Sequence, residues 1–256
     1  MVGIIEEGLC ESLSSLGDYS HVEHDVTWTA IPHIPSAFAN GVWRARLGTN
    51  FDIDARIDQI LEPFRSYKVS LTWYVTPLST PSNLGDLLVS HGLRFEGEQP
   101  GMVIGTGEIP ELSLPRGLTI QRVKNKLMFG QWMKVFSKVF DVPAEASIKI
   151  SQYIDLTGFG EDANKQYYNG ALGDRIVGTS VVSFTSKSVV IAGISVLDEF
   201  RGRGIGKALT LHPLVLGRQM GKKFGVLSST DMGYPVYQKL GFKEYFKIKN
   251  YVGDFS

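Results

Sequence analysis

Hydrophobic residues in the first half of the chain repeat with helical periodicity in two places. Residues 3–16 align Ile5, Leu9, Leu13 and Leu16 on one stripe. Residues 54–65 repeat the pattern and predict a second helix with an apolar face formed by Ile57, Ile60, Leu61 and Phe64. Runs rich in β-branched and aromatic residues predict strands at 26–30, 41–47, 69–76 and 101–105.

The second half alternates between strand-like and helix-like hydrophobic patterns. A strand is predicted at 118–123, followed by helices at 125–140 and 144–157. The runs QYYNGALGD, RIVGTSVVSFT and SVVIAGISV then predict a three-strand meander. After it come a helix to about residue 220, the strand FGVLSS, a short helix at YPVYQKL and a last strand in FKEYFKIKNYV. This order predicts an α+β fold with a mixed, mostly antiparallel twisted sheet flanked by helices.

A proline-marked segment, GEIPELSLPRG at 107–117, separates the halves. Pro110 and Pro115 disfavour both helix and central strand there. We therefore predict an N-terminal domain at 1–110, a linker at 111–117 and a second domain at 118–256.

The two halves end in a similar pattern. SLTWYVT, LGDLLVSHGL and PGMVIG parallel GVLSST, YPVYQKLGF and FKIKNYV, each as strand, short helix and strand. Gly92 and Gly241 follow the two short helices, where a left-handed residue commonly ends a helix. The pattern alone leaves open whether it reflects an internal duplication or chance.

Charge and cysteine content narrow the function classes. The chain has 26 basic and 26 acidic residues, so the basic excess of most nucleic-acid-binding proteins is missing. Its single cysteine, Cys10, indicates a reducing compartment, and the N-terminus lacks a signal-peptide pattern. Its histidines have no metal-ligand spacing. We expect a cytoplasmic protein without nucleic-acid partner, membrane span or metal.

The stretch LDEFRGRGIGKALT, residues 197–210, combines positive charge with bare backbone at a predicted strand-to-helix turn. Backbone N–H groups at a helix N-terminus bind phosphate, and glycines let the oxygens approach. No acidic residue interrupts the basic residues Arg201, Arg203, Lys207, Arg218, Lys222 and Lys223. The turn therefore predicts an anion site.

Two common phosphate motifs do not fit this turn. Counting a dinucleotide fingerprint from Gly202 puts Lys207 where the third glycine belongs, and a P-loop would need a hydroxyl where Ala208 stands. The spacing that fits is R-x-x-G-x-G, formed by Arg201, Gly204 and Gly206, followed some thirty residues later by YQKLGF.

These features together resemble the GNAT superfamily of acyl-CoA-dependent N-acetyltransferases, over residues 118–252. The first half resembles the degenerate partner domain of tandem members, although it has no R-x-x-G-x-G. The resemblance implies acetyl-CoA as co-substrate and a turn that cradles its pyrophosphate. It assigns that turn to Arg201, Gly202, Arg203, Gly204, Ile205, Gly206 and Lys207.

The resemblance also implies roles along the strand before the turn and on the short helix after it. The Ile194 N–H would face the thioester carbonyl, Val196 would bind pantetheine, and Gly193 would permit the bulge that aims the amide. Tyr237 would act as general acid toward the thiolate, with Tyr234 as its competitor.

The sequence assigns no general base. Many members place a glutamate on the strand before the turn, but 188–196 contains no carboxylate. Carboxylates elsewhere that could reach an acceptor pocket are Asp231, Glu145, Asp155, Glu161 and Asp162, and a water relay would also suffice.

The remaining aromatic and histidine residues are candidates for either a binding site or core packing. Tyr153, Tyr167, Tyr168 and Phe159 line either an acceptor pocket or the core. His212 beside Pro213 is interpreted as packing, and the proline predicts a kink or reset of its helix.

The resulting prediction is an N-acetyltransferase that moves an acetyl group from acetyl-CoA to a primary amine of a small molecule or peptide by direct attack. The alternatives are a non-catalytic CoA- or acyl-CoA-binding protein, a transferase using a different acyl-CoA, and an interaction module that binds another phosphate. A homodimer stays open.

Overall fold

The computed structural model describes residues 1–14, 19–32, 34, 37, 39–48, 52–157, 159 and 163–255, with the backbone alone for 155–157. The helices in this part are α1 Val2–Ser14, α2 Ile53–Tyr67, α3 Leu84–Ser90, α4 Lys126–Phe140, α5 Ala144–Thr157, α6 Ile205–Gln219 and α7 Tyr234–Leu240. The strands are β1 Ser20–Val22, β2 Thr27–Thr29, β3 Gly41–Trp43, β4 Leu71–Val75, β5 Arg94–Gly105, β6 Leu118–Arg122, β7 Lys165–Leu172, β8 Arg175–Phe184, β9 Ser188–Val196, β10 Phe224–Ser228 and β11 Lys243–Gly253.

The predicted α+β class with a mixed sheet is confirmed, and the differences from the predicted elements are local. β1 was not predicted. β3 is shorter than the predicted 41–47, because Arg44 adopts a left-handed φ of +57° that ends the strand. β5 begins at Arg94, earlier than predicted. Leu16 lies outside the described residues.

The chain divides into two compact units whose boundaries do not follow its linear order. Unit 1 comprises residues 1–102, 228–231 and 244–256, and unit 2 comprises 103–227 and 232–243. Nearly all of the last strand, β11, therefore belongs to unit 1, and the last three residues of β5 belong to unit 2.

Unit 1 orders its strands β1-β2-β3-β4-β11-β5. β11 pairs antiparallel with β4, from Lys249 opposite Val75 to Gly253 opposite Leu71. The helix α2 packs its predicted apolar stripe into the core around fully buried Trp73. Asp52 caps this helix by accepting from the amides of Asp54 and Ala55, as expected for an N-cap carboxylate.

Unit 2 orders its strands β10-β9-β8-β7-β6 after the end of β5. β6, β7, β8 and β9 are antiparallel neighbours, and β10 pairs parallel with β9. Asn125 caps α4 through the Met128 amide, and α4 buries Phe129, Trp132 and Met133.

The helix α6 packs on strands β8 and β9 through close contacts at glycine. It runs without a break from Ile205 to Gln219, so Pro213 does not reset it as predicted. Leu209 of α6 lies above Gly178 of β8, where a Cβ would come within 2.8 Å of the leucine Cδ1 and of the Ser195 carbonyl oxygen. Only glycine allows this approach.

Gly178→Ala should therefore destabilise the protein by about 1–3 kcal/mol, the usual cost of overpacking. The Ser195 backbone cannot move without disturbing the pairing of β8 with β9. Gly130→Ala is the matched control, because a Cβ there meets nothing within 4 Å on α4 and alanine gains up to about 1 kcal/mol of helix propensity. Urea unfolding measures both, and equal stability of the two variants would contradict this packing.

Candidate active site

Strands β9 and β10 pair over only three residues and then separate. Their register runs from Phe224 opposite Ser188 to Val226 opposite Val190. Beyond this point, the edge of β9 from Ile191 to Val196 has no strand partner on that side among the described residues. The opening exposes backbone hydrogen-bonding groups that need partners from solvent or a ligand.

A β-bulge lies in this unpaired part of β9. Thr179 is opposite Ser195 and Val181 is opposite Ala192, so one residue of β8 faces two residues of β9, Gly193 and Ile194. Gly193 has a φ of +55°, the left-handed conformation that glycine supplies in such bulges. The predicted bulge is present.

Two buried hydroxyl groups hold the bulge. The Thr179 hydroxyl lies 3.4 Å from the Gly193 carbonyl oxygen, to which it donates, and it also hydrogen-bonds the Ser195 hydroxyl. Both side chains are almost fully buried. The Ile194 amide lies between these two anchored residues. Sequence reasoning missed this pair, because threonine and serine in a strand carry no signal of what they bind.

The turn after β9 leads into α6, and the first amides of this helix have no hydrogen-bond partner among the described residues. Gly204 is the N-cap residue and makes no side-chain capping bond. The first backbone bond of the helix runs from the Ala208 amide to the Gly204 carbonyl. The N–H groups of Ile205, Gly206 and Lys207 therefore precede the first intrahelical bond, as at any helix N-terminus. Such amides, together with the helix dipole, favour the binding of an anion.

The two arginines of the turn bind the turn itself. Arg201 donates through Nε to the Val196 carbonyl oxygen at 3.2 Å and pairs with Asp198 at 2.8 Å. Arg203 donates to the Glu199 carbonyl oxygen at 3.2 Å. These bonds give both arginines a structural task that the sequence did not indicate. The exposed Lys207 carries positive charge at the helix start.

The glycines of the turn have different reasons to be glycine. Gly202 and Gly204 have left-handed φ values of +74° and +77°. A Cβ on Gly204 would lie 3.5 Å from the Pro115 ring, so backbone conformation is the main constraint there. A Cβ on Gly206 would point toward Val196 and Ile194 of β9, at 3.7 and 3.9 Å. The start of α6 thus faces the open edge of β9.

Tyr237 lies on α7, which follows β10 and ends at Gly241 with a left-handed φ of +98°. Its ring packs edge-on against Phe242 with centroids 5.8 Å apart. Burial raises the pKa of the Tyr237 phenol to about 12, so the hydroxyl is protonated at neutral pH. The neighbouring Tyr234 hydroxyl accepts a hydrogen bond from Gln238 at 3.1 Å.

Two of the carboxylates considered as bases, Glu145 and Asp231, have described side chains. Glu145 pairs with Lys149 at 2.8 Å on the exposed side of α5. Asp231 is exposed and belongs to unit 1. Glu161, Asp162 and the side chain of Asp155 lie outside the described residues. His212 packs edge-on against Tyr168 in the core of unit 2, and burial lowers its pKa.

An aromatic cluster covers the face of the sheet beside the bulge. Phe129, Trp132 and Phe136 of α4 stack along the helix, and Tyr167 of β7 contacts the first two edge-on. The Phe136 ring comes within 3.2 Å of the position of a Cβ on Gly193. This cluster belongs to a hydrophobic core, so the predicted core packing is present, and a pocket wall stays a prediction.

No helix in the described part of the chain is long and apolar enough to cross a membrane. No group of three or more potential metal ligands occurs within the same residues.

The fold resembles that of several solved structures. A GCN5-related N-acetyltransferase from Kribbella flavida aligns with a TM-score of 0.71 and 16% identity, covering 100% of this chain and 96% of that chain. A functionally unknown conserved protein from Staphylococcus epidermidis gives 0.68 and 16%, covering 91% and 92%. A tandem GNAT protein from the clavulanic acid biosynthesis pathway gives 0.59 and 13%, covering 90% and 78%.

These similarities show the fold, and a family model adds sequence evidence for part of the chain. The model for the acetyltransferase (GNAT) domain matches residues 163–244, from the start of β7 to the start of β11. A search of curated proteins gives no match. The matched segment contains the separated strands, the bulge, the glycine turn and Tyr237. Residues 163–244 therefore match the acetyltransferase (GNAT) domain family, within a chain whose fold resembles that of GCN5-related N-acetyltransferases.

Proposed function

We propose that the protein is an acetyl-CoA-dependent N-acetyltransferase whose acceptor is a primary amine of a small molecule or peptide. One observation carries the proposal: β9 and β10 separate after Val190 and Val226, and the open edge of β9 leads to the uncapped N-terminus of α6. This arrangement offers an extended row of backbone groups followed by an anion site, which matches an extended amide-containing arm that ends in phosphates.

The residues of the turn fit such a ligand. The amides of Ile205, Gly206 and Lys207 would hold the pyrophosphate, with Lys207 adding charge. Gly202, Gly204, Arg201 and Arg203 shape the turn that presents those amides. Leu197 donates its amide to Val177 of β8, so the Val196 amide, next along the strand, points to the open edge and would bind pantetheine.

Acetyl transfer to nitrogen forms a C–N bond and breaks the thioester C–S bond. Acetyl-CoA supplies the activated acetyl group. The Ile194 N–H would donate to the carbonyl oxygen as negative charge develops there. The bulge at Gly193 and the Thr179 hydroxyl hold this amide in place before the reaction.

Tyr237 would assist the departure of sulfur. A phenol with a pKa near 12 stays protonated and donates a hydrogen bond throughout the neutral range. A thiol is a stronger acid, with a pKa of about 8.5, so the tyrosine stabilises the departing sulfur mainly by donating this bond. The proton lost by the attacking nitrogen balances the one finally gained by the thiolate.

Ligand-induced stabilisation tests the co-substrate. Acetyl-CoA and CoA should each raise the melting temperature. At a ligand concentration of a hundred times Kd, the free energy of unfolding should increase by about 2.7 kcal/mol. NAD and ATP should not raise it, because the turn has neither the dinucleotide fingerprint nor the P-loop motif. Equal stabilisation by ATP would exclude CoA as the specific ligand. If CoA binds tightly but no amine of a panel releases free thiol from acetyl-CoA, the non-catalytic alternative is favoured. If turnover occurs only with another acyl-CoA, that compound is the donor.

The Thr179 hydroxyl at the bulge should affect kcat more than the affinity for acetyl-CoA. Thr179→Val removes the hydroxyl but keeps the shape, so kcat should fall about tenfold while KM for acetyl-CoA changes little, because the Ile194 amide loses its fixed direction. Stability should also fall by about 1–3 kcal/mol, because the Ser195 hydroxyl loses its buried partner.

Two further variants separate positioning from stability. Thr179→Ser restores the hydroxyl and should recover most of kcat. The double variant Thr179→Val/Ser195→Ala removes both buried hydroxyls and should recover stability without recovering kcat. Steady-state kinetics and urea unfolding measure the two effects, and a kcat that follows stability across the set would remove the positioning role.

A further inference from the structure

Two polar groups on one face of β7 have no partner in the described chain. Lys165 begins β7 and Tyr167 follows two residues later, so both side chains project from the same face of the sheet. The Tyr167 ring lies edge-on to Phe129 and Trp132 of α4. No described residue forms an ion pair or hydrogen bond with the Lys165 ammonium or the Tyr167 hydroxyl.

Both groups are poorly solvated. Burial alone lowers the pKa of Lys165 to about 8. Burial, with the nearby Tyr153 phenol, raises the pKa of Tyr167. No carboxylate of the described residues contributes to either shift. Both side chains are half-buried, and a partly desolvated ammonium is stabilised by an anion beside it.

The strand register relates these groups to the bulge. Tyr167 lies opposite Val181, which lies opposite Ala192, directly before the bulge. Two strand spacings separate β7 from β9, about 10 Å, and Lys165 is about 7 Å further along β7. Because the bulge lies one to two residues beyond Ala192 in the opposite direction, the two backbones are roughly 15 Å apart, and a lysine side chain turned toward the bulge would bring the ammonium to about 10 Å from it.

This distance decides between two possible roles for Lys165, a general base and a group that binds the far end of an acceptor. A general base must reach the reacting proton directly or through one water, and Lys165 is too far away for that. A group about 10 Å from the reacting carbon can instead hold the far end of an acceptor. Aromatic rings and Val181 occupy the face between the two points, so the middle of such an acceptor would contact apolar side chains.

We propose that Lys165 and Tyr167 bind a carboxylate at the far end of the acceptor, which makes the acceptor an amine with an apolar middle and an anionic terminus. This inference rests on the proposed function for the identity of the reacting amine. The ammonium supplies charge and the phenol a hydrogen bond on one face of the sheet, beside apolar side chains, as in many small-molecule sites. A carboxylate would also give Lys165 a counter-ion, which the described residues do not provide.

A tripeptide has the required length, because three extended residues span about 10 Å. The probes are Gly-Phe-Gly with a free C-terminal carboxylate and the same peptide with a C-terminal amide. Calorimetric titration into the protein, with and without CoA, should give at least tenfold tighter binding of the acid than of the amide. Phenylalanine and its amide are a length control and should not show this preference, because amine and carboxylate share one carbon.

Matched variants test the two side chains. Lys165→Met should abolish the preference for the acid, Lys165→Arg should retain most of it, and Tyr167→Phe should reduce it a few-fold. Lys134→Met removes an exposed cation of α4 and should leave the preference intact. Equal binding of acid and amide, no binding of either peptide, or a preference that survives Lys165→Met would each overturn the proposal.

The titrations separate this inference from the proposed function. Binding of the peptides is measured without turnover, so a carboxylate preference without acetyl transfer would support the Lys165 site and contradict the acetyltransferase. Acetylation of both peptides with equal KM would support the enzyme and contradict the site.

Discussion

Replacing Gly204 by valine should weaken CoA binding by about 10- to 100-fold. Gly204 has a φ of +77° as the N-cap of α6, and a β-branched residue held there costs about 1–3 kcal/mol. Without ligand the variant turn relaxes to another conformation, so binding must restore the strained one. The expected loss of affinity follows from this strain energy, because each 1.4 kcal/mol changes Kd by a factor of ten. Calorimetric titration with CoA measures it.

Gly221→Val is the matched control for this prediction. Gly221 follows the other end of α6, has the same φ of +77°, and a Cβ there meets nothing within 4 Å. The control should lose similar stability and keep normal CoA affinity. A folded Gly204→Val variant with normal affinity would remove the turn from the site.

Tyr237→Phe should lower kcat with a competent amine by about a hundredfold, the usual loss when one hydrogen-bond donor to developing negative charge is removed. The phenyl ring keeps the contact with Phe242, so folding and CoA affinity should change little. Tyr234→Phe removes only a hydroxyl that binds Gln238 and should have a normal rate. Release of free thiol from acetyl-CoA measures all three proteins.

The pH profile adds a second test of Tyr237. Because its pKa is near 12, the phenol does not titrate between about pH 6 and 10. The phenylalanine variant should therefore have a lower profile of unchanged shape over this range. A normal rate, or an alkaline limb below pH 10 that disappears with the hydroxyl, would contradict the assigned role.

The sequence predicts the elements well where periodicity and turn residues agree. The helix α2 has an apolar stripe, an N-cap aspartate and a left-handed end at Lys68, and each is visible as a local signal. The bulge at Gly193 was predicted from one glycine and from the resemblance. The short strand β1 was missed, because three residues are too few to show alternation.

Contacts between distant residues were beyond sequence reasoning. Nothing in the sequence indicates that Thr179 clamps the bulge or that Arg201 binds the Val196 carbonyl oxygen, since both depend on register and side-chain direction. That Lys165 has no ion-pair partner among the described residues is likewise invisible in the sequence. The same limit applies to β11, whose apolar alternation predicts a strand but not the unit that receives it.

A crystal structure with CoA bound would show directly whether the ligand occupies this site. We expect the pyrophosphate on the amides of Ile205, Gly206 and Lys207, the pantetheine along β9 at Val196, and the thiol within hydrogen-bonding distance of the Tyr237 hydroxyl. CoA bound away from the N-terminus of α6, or a thiol on the side of β9 remote from Tyr237, would contradict it.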